Sequence, residues 1–154
     1  MRALLLIGIG LILAACQPMA PQTANEELIT RTSPYSVAET MDRLEAAVKA
    51  KGATVFARVD HAAGAQKIGM TLAPEQVLIF GNPKLGTPLM QSDPRIGLDL
   101  PVKVLVWEKD GTTKITFLDP SKLGAWYGID ADHPSLVKMR GVLEMIAKEA
   151  GTKD

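Results

Sequence analysis

The chain has 154 residues, with 17 Lys or Arg, 17 Asp or Glu and a formal net charge of zero. This length suits one domain with a single core, and the balanced charge gives no field that would attract nucleic acid or an anionic lipid surface. One cysteine, Cys16, and two histidines permit neither an intramolecular disulfide nor a structural zinc set.

The N-terminus has the pattern of an export signal. Arg2 precedes an apolar run from Ala3 to Leu13, which has the length of a signal h-region and is too short to span a bilayer. The run ends in Leu13-Ala14-Ala15-Cys16, which resembles the lipobox of bacterial lipoproteins. The resemblance implies removal of residues 1–15 and acylation of Cys16, which would anchor the protein to the membrane. The alternative is an ordinary secretory signal in which Cys16 is incidental.

The residues after the cleavage site predict where the domain is held. Gln17 occupies the position that biases sorting in bacterial lipoproteins, and because it is not Asp it favours the outer membrane, with the domain facing the periplasm. Residues 16–27 mix Pro, Gln, Ala and Thr without periodicity. We therefore predict a flexible tether that reaches at most about 35 Å, followed by a globular domain over residues 28–154.

The first elements of the domain follow from composition, caps and hydrophobic periodicity. Residues 28–33 predict a strand, and Ser36 with Glu39 predicts a capping box that starts a helix ending near Lys51. The other strand candidates of this half are residues 54–60 and 75–80, with residues 64–72 or a neighbouring segment as a further candidate.

Turn and cap residues organise the second half. Asn82-Pro83 has the chemistry of an N-cap followed by a first helical residue. Asp110-Gly111 is a hairpin dipeptide between two β-rich runs. The predicted elements are a helix over residues 83–91, strands over 102–108 and 113–118, and helices over 120–126 and 134–151. This order, strand-helix-four strands-helix, predicts an α+β fold in which helices cover one face of an antiparallel sheet.

Three segments carry specific motifs. Residues 56–61, 77–90 and 94–101 include Gly81-Asn82-Pro83 and Leu98-Asp99-Leu100-Pro101. Together they resemble the bacterial and archaeal family catalogued as domain of unknown function 302. The resemblance implies a fold like half of the TATA-box-binding protein, without its DNA-binding function, and a capacity to dimerise. It implies no activity and no cofactor.

Several polar residues lie at predicted strand ends or near the helix that starts at Asn82, where the fold would bring them to one rim. The helix N-terminus would attract a carboxylate or phosphate, so Asn82, Lys84 and Thr87 are the candidates for ligand binding. The alternative is that Asn82 only caps the helix. The complete predicted rim is Asp60, His61, Asn82, Lys84, Thr87, Asp99 and Lys103.

His61 is the candidate for catalysis. With a carboxylate from Asp60 or Asp99, its imidazole would serve as a general base or a metal ligand near neutral pH. Because adjacent strand residues point to opposite faces, a pair of Asp60 and His61 requires a turn between them. The alternative is a structural histidine bonded to the backbone. The sequence has no nucleophile elbow, phosphate loop or dinucleotide fingerprint.

The leading functional prediction is a lipid-anchored, homodimeric domain that binds a small molecule or a protein partner without catalysis. Phe56 and Phe117 are expected on the sheet face that the helices leave open, and Met70 and Met90 are candidate pocket residues. Trp126 is expected in the core, with a pocket wall or a dimer contact as the alternatives. One rival is a hydrolase or other enzyme that uses His61, with or without a metal. Another is an envelope interaction protein with an exposed apolar patch and no defined pocket.

Overall fold

The structure is a computed structural model that describes residues 27–153. The predicted signal peptide, Cys16 and almost all of the predicted tether lie outside the described residues. The strands are β1 (Leu28–Ser33), β2 (Thr54–Asp60), β3 (Glu75–Gly81), β4 (Val102–Lys109) and β5 (Thr112–Leu118), and the helices are α1 (Val37–Ala50), α2 (His61–Lys67), α3 (Pro83–Ser92), α4 (Pro120–Trp126) and α5 (Pro134–Gly151). A short 3-10 turn, Pro94–Leu98, connects α3 with β4.

The five strands form one antiparallel sheet in the order β1-β5-β4-β3-β2. Strands β2 to β5 pair in chain order, and β1 joins the outer edge of β5. This confirms the predicted α+β fold, with the short helices α2, α3 and α4 inserted between its main elements. Among residues 27–153, no helix combines the length and the apolar character needed to cross a membrane.

The strand termini define a lower and an upper end of the sheet. The lower end is formed by the termini of the strands at Leu28, Thr54, Gly81, Val102 and Leu118, as the strand pairing shows. The upper end is formed by the opposite termini at Ser33, Asp60, Glu75, Lys109 and Thr112. The described chain therefore enters the sheet at its lower end.

Helices α1 and α5 pack together and against one face of the sheet. The centre of this face is a row of cross-strand partners, Leu78, Val104 and Phe117, each 2% exposed or less. The expectation that Phe117 lies on the open face is therefore wrong. The next side chains along β3 and β4, such as Ile79 and Leu105, project from the other face and are only half-buried.

The segment 64–72 does not form a strand. The Asp60 carboxylate accepts the N–H of Ala63 at 2.8 Å, which caps α2 directly after β2. Gly69 then adopts a left-handed φ of 75°, which interrupts any extended run. Local side-chain capping, which competes with strand pairing, explains the difference from the sequence prediction.

Candidate functional site

An apolar cleft of about 480 Å³ opens at the lower end of the sheet, between the sheet, α3 and α5. Its volume falls within the roughly 300 to 1,000 Å³ that is typical of small-molecule sites. Seven residues of the sheet side line it: Ala53, Phe56, Phe80, Gly81, Leu100, Pro101 and Val102. The cleft is the strongest candidate for a binding site in the described part of the chain.

The sheet side of the cleft is shaped by a local irregularity in β2. The strand register shifts between Val55 and Ala57, and the intervening Phe56 is 61% exposed at the rim of the cleft. A Cβ added at Gly81 would lie 3.2 Å from the Pro101 Cβ and 3.5 Å from the Phe56 ring. The absence of a side chain at Gly81 therefore lets Pro101 and the Phe56 ring pack closely against the backbone of β3.

The two helices supply the other walls. Leu85, Gly86 and Met90 of α3 line one side, and Met139, Val142 and Leu143 of α5 line the other. A Cβ at Gly86 would meet only Leu100 Cδ1 and Met90 Cε, both at 3.8 Å, which is ordinary van der Waals contact. The rest of a larger side chain at position 86 would therefore occupy the cleft itself. Met90 therefore lies on the wall of the cleft, as predicted, whereas Met70 is exposed and does not line it.

Two of the three predicted ligand-binding residues, Asn82 and Thr87, line the cleft, and the exposed Lys84 does not. The Asn82 Oδ1 accepts the N–H of Lys84 at 3.0 Å, while its Nδ2 donates to the Gly52 carbonyl at 3.5 Å. Asn82 thus caps α3, as the alternative interpretation held, and its amide also contributes to the edge of the cleft. Within residues 27–153, no charged side chain lines this cleft.

The other predicted site residues do not share one rim with the cleft. Asp60 pairs with Gln76 at the upper end of the sheet and accepts a hydrogen bond from its Nε2 at 3.1 Å. His61 follows as the exposed first residue of α2. Asp99 lies near the lower end, just before β4, and Lys103 is exposed on β4. The prediction of a single rim is wrong because β3 separates the two groups along its length.

Asp99 takes part in a tertiary hydrogen bond. It accepts the hydroxyl proton of Tyr127 at 2.5 Å, which joins the end of the 3-10 turn to the end of α4. This bond to a carboxylate raises the pKa of the Tyr127 hydroxyl, so the phenol remains a proton donor.

The residues that the structure describes include no group of three or more His, Cys, Asp or Glu placed to hold a metal ion.

We expect His61→Ala to change the free energy of unfolding by less than about 0.5 kcal/mol, because the side chain is exposed at the start of α2. Asp60→Ala, the adjacent control, should cost about 1 kcal/mol because it removes the cap of α2. Thermal denaturation of both variants tests this pair. A larger loss for His61→Ala than for Asp60→Ala would restore the structural interpretation of the histidine.

Sequence reasoning missed most of the cleft residues. They are apolar, and they come from segments as far apart as Ala53, Leu100 and Val142. Met139 and Leu143, for example, lie at helical spacing on α5 and line the cleft from buried positions, so periodicity alone marks them as core residues. The one local signal was the cluster of Gly and Pro around positions 81–88, which marks close backbone packing.

Comparisons with known proteins identify the domain. The chain matches the family described as Domain of unknown function DUF302 over residues 29–148. The crystal structure of an uncharacterized conserved DUF302 protein from Bacillus stearothermophilus superimposes with a TM-score of 0.74 at 23% identity, covering 80% of this chain and 98% of that chain. At this identity the structural likeness shows the fold.

Two curated relatives carry functional names. The fluoride-specific ion channel FluC 1 of Brucella suis is 43% identical over 129 residues, which cover 82% of this chain and 50% of that protein. The fluoride-specific ion channel FluC 2 of Brucella melitensis is also 43% identical, with 47% of that protein covered. The chain thus spans about half the length of the curated relatives it matches. Through the match over residues 29–148, the chain belongs to the DUF302 family.

Proposed function

We propose that this protein is a lipid-anchored domain of the cell envelope that binds a small apolar or amphipathic molecule in the cleft, without converting it. The observation that carries this proposal is the cleft of about 480 Å³ between the sheet, α3 and α5, lined by apolar side chains and edged by Asn82 and Thr87. Burial of apolar ligand surface supplies the affinity, and the two polar groups orient the ligand.

Binding without catalysis is supported by the chemistry of the lining. Asn82 and Thr87 have no titratable proton near neutral pH. In the described range 27–153, the predicted acid-base candidates His61 and Asp60 lie at the upper end of the sheet, away from the cleft. Asp99 is nearer to the cleft but does not line it, and its Oδ2 accepts the hydroxyl proton of Tyr127. A catalytic pair of His61 and Asp99 would have to span the length of β3.

The proposed attachment to the membrane is supported by the N-terminal sequence and by the names of the curated relatives. The motif that ends at Cys16 resembles a lipobox, which would hold the domain at the outer membrane, facing the periplasm. The curated relatives are named as ion channels, so domains of this type also occur in proteins that function in membranes. This chain spans about half of those proteins, and channel activity is not part of the proposal.

A homodimer is part of the proposal. Val59, Val77 and Leu105 form a cross-strand row on the sheet face opposite to α1 and α5. Val59 is 39% exposed, and the other two side chains are half-buried. An apolar row of this kind gains free energy when a second copy covers it.

Filling the cleft should strongly weaken the binding of an apolar probe. Gly86→Leu places a larger side chain in the cleft without backbone conflict, so we expect the affinity for the uncharged fluorophore N-phenyl-1-naphthylamine to fall about tenfold or more. The measurement is a fluorescence titration of the full chain in detergent. Gly64→Leu is the matched control, because Gly64 is a helical glycine of α2 at the upper end with open space around its Cβ.

The fluorophore affinities of the original chain, Gly86→Leu and Gly64→Leu are compared to test the proposal. Equal binding by the original chain and the Gly64→Leu variant, with weak binding by Gly86→Leu, supports the cleft as the site. Equal binding by all three proteins would place the probe elsewhere, and no binding by any of them would remove the small-molecule function.

A further inference from the structure

We propose that the lower end of the domain rests on the lipid bilayer and that the cleft takes the acyl chain of a membrane phospholipid. This inference rests on the proposed function, since it names the ligand class of the same cleft and the surface from which the ligand enters. Three observations support it: the place where the chain joins the sheet, the exposed side chains at that end, and the composition of the cleft.

The first observation is that the segment following the predicted anchor joins the domain at the lower end of the sheet. Leu28 pairs with Leu118 at the lower end of the sheet, and Phe80 pairs with Val102 at the same end, beside the cleft. Eleven residues separate Cys16 from Leu28, a span of at most about 35 Å when fully extended. An anchor at Cys16 therefore tethers the chain at the end of the domain where the cleft opens.

Exposed apolar side chains at the lower end are the second observation. Phe56 is 61% exposed, Met90 39%, Leu98 83% and Trp126 52%. The hydrogen bond from Tyr127 to Asp99 joins the segments that carry Trp126 and Leu98, so both side chains belong to this end. Trp126 is thus exposed, which corrects its expected place in the core. Exposed apolar groups of this size are stabilised at a membrane interface, where tryptophan is enriched.

The composition of the cleft is the third observation. No charged side chain lines it within the described range 27–153, so it suits a hydrocarbon chain better than a charged metabolite. Asn82 and Thr87, at the helix that borders the cleft, provide hydrogen-bonding groups for the ester region of a lipid. The phosphate headgroup would remain at the surface of the bilayer.

The two tryptophans of the chain allow a direct test of orientation. Trp126 lies at the lower end, whereas Trp107 pairs with Glu75 near the upper end. The acylated full chain is reconstituted into phosphatidylcholine vesicles whose acyl chains carry bromine, once as Trp107→Phe and once as Trp126→Phe. We expect the emission of Trp126 to be quenched and that of Trp107 to be retained. Quenching of Trp107 alone, or of neither residue, would overturn the proposal.

A displacement experiment tests the ligand class. Lysophosphatidylcholine with a palmitoyl chain should displace N-phenyl-1-naphthylamine from the original chain and from Gly64→Leu, whereas its headgroup, glycerophosphocholine, should not. If the fluorophore binds in the cleft and the lysolipid fails to displace it, the acyl-chain inference is wrong while the proposed function stands. If Gly86→Leu leaves fluorophore binding unchanged, the proposed function itself fails.

Discussion

A Cys16→Ser variant of the full chain is expected to leave the membrane fraction, whereas the original protein stays with it after ultracentrifugation. The thiol of Cys16 is the only one in the chain and therefore the only group that can carry a thioether-linked lipid. Each buried methylene contributes about 0.8 kcal/mol, so loss of several acyl chains removes essentially all attachment. The apolar run from Ala3 to Leu13 is too short to replace it by spanning the bilayer.

The matched control for this prediction is Gln17→Ser, which changes the neighbouring residue and leaves the cysteine. It should remain in the membrane fraction, and its intact mass should retain the lipid. Because the domain begins near Leu28, both variants should unfold at the same temperature as the original protein. Retention of Cys16→Ser in the membrane would contradict the lipobox interpretation.

Leu78→Ala is expected to give the largest loss of stability, about 2 to 5 kcal/mol. Leu78 is fully buried on β3, beside Val104, and helix α1 packs against this strand. Truncation removes apolar contacts and leaves a cavity that the packed neighbours cannot fill. Ile79→Ala, one residue further on the other face, should cost about 1 kcal/mol because Ile79 is only half-buried.

Chemical denaturation of both variants measures this difference between the two faces. Similar losses for Leu78→Ala and Ile79→Ala would mean that both faces of the sheet are equally covered in solution. The proposed homodimer adds a concentration dependence: if a second copy covers the row of Val59, Val77 and Leu105, the cost of Ile79→Ala should rise with protein concentration.

Much of the fold was predictable because short-range chemistry specifies it. The Ser36 hydroxyl accepts the N–H of Glu39 at 3.3 Å and starts α1 as expected. Asp110 and Gly111 adopt left-handed φ angles of 53° and 72° between the paired residues Lys109 and Thr112, the geometry that a two-residue hairpin requires. Each of these elements is determined by residues within four positions of one another.

Features set by distant pairing were not predictable in the same way. Phe117 faces the helices because β5 pairs with β4 through Val104 and with β1 through Ile29. No local pattern contains that register, and a shift of one residue would have turned Phe117 to the other face. Trp126 is exposed although its size alone suggested burial.

The candidate site was only partly predictable for a related reason. The site predicted from polar side chains includes Asn82 and Thr87, which line the cleft. It also includes His61 and Asp60, which lie at the other end of the sheet. The apolar residues that form most of the cleft have no motif. They become a site only when β2, β3, β4, α3 and α5 are assembled, so the cleft emerges from the tertiary structure.

The most direct test of cleft binding is native mass spectrometry of the full chain purified from membranes in mild detergent. We predict a species heavier than the acylated chain by one non-covalently bound molecule, present in the original protein and in Gly64→Leu and absent from Gly86→Leu. The added mass would identify the ligand and distinguish a phospholipid from a free fatty acid. An original protein observed only as the bare acylated chain, or an adduct that survives in Gly86→Leu, would contradict the account.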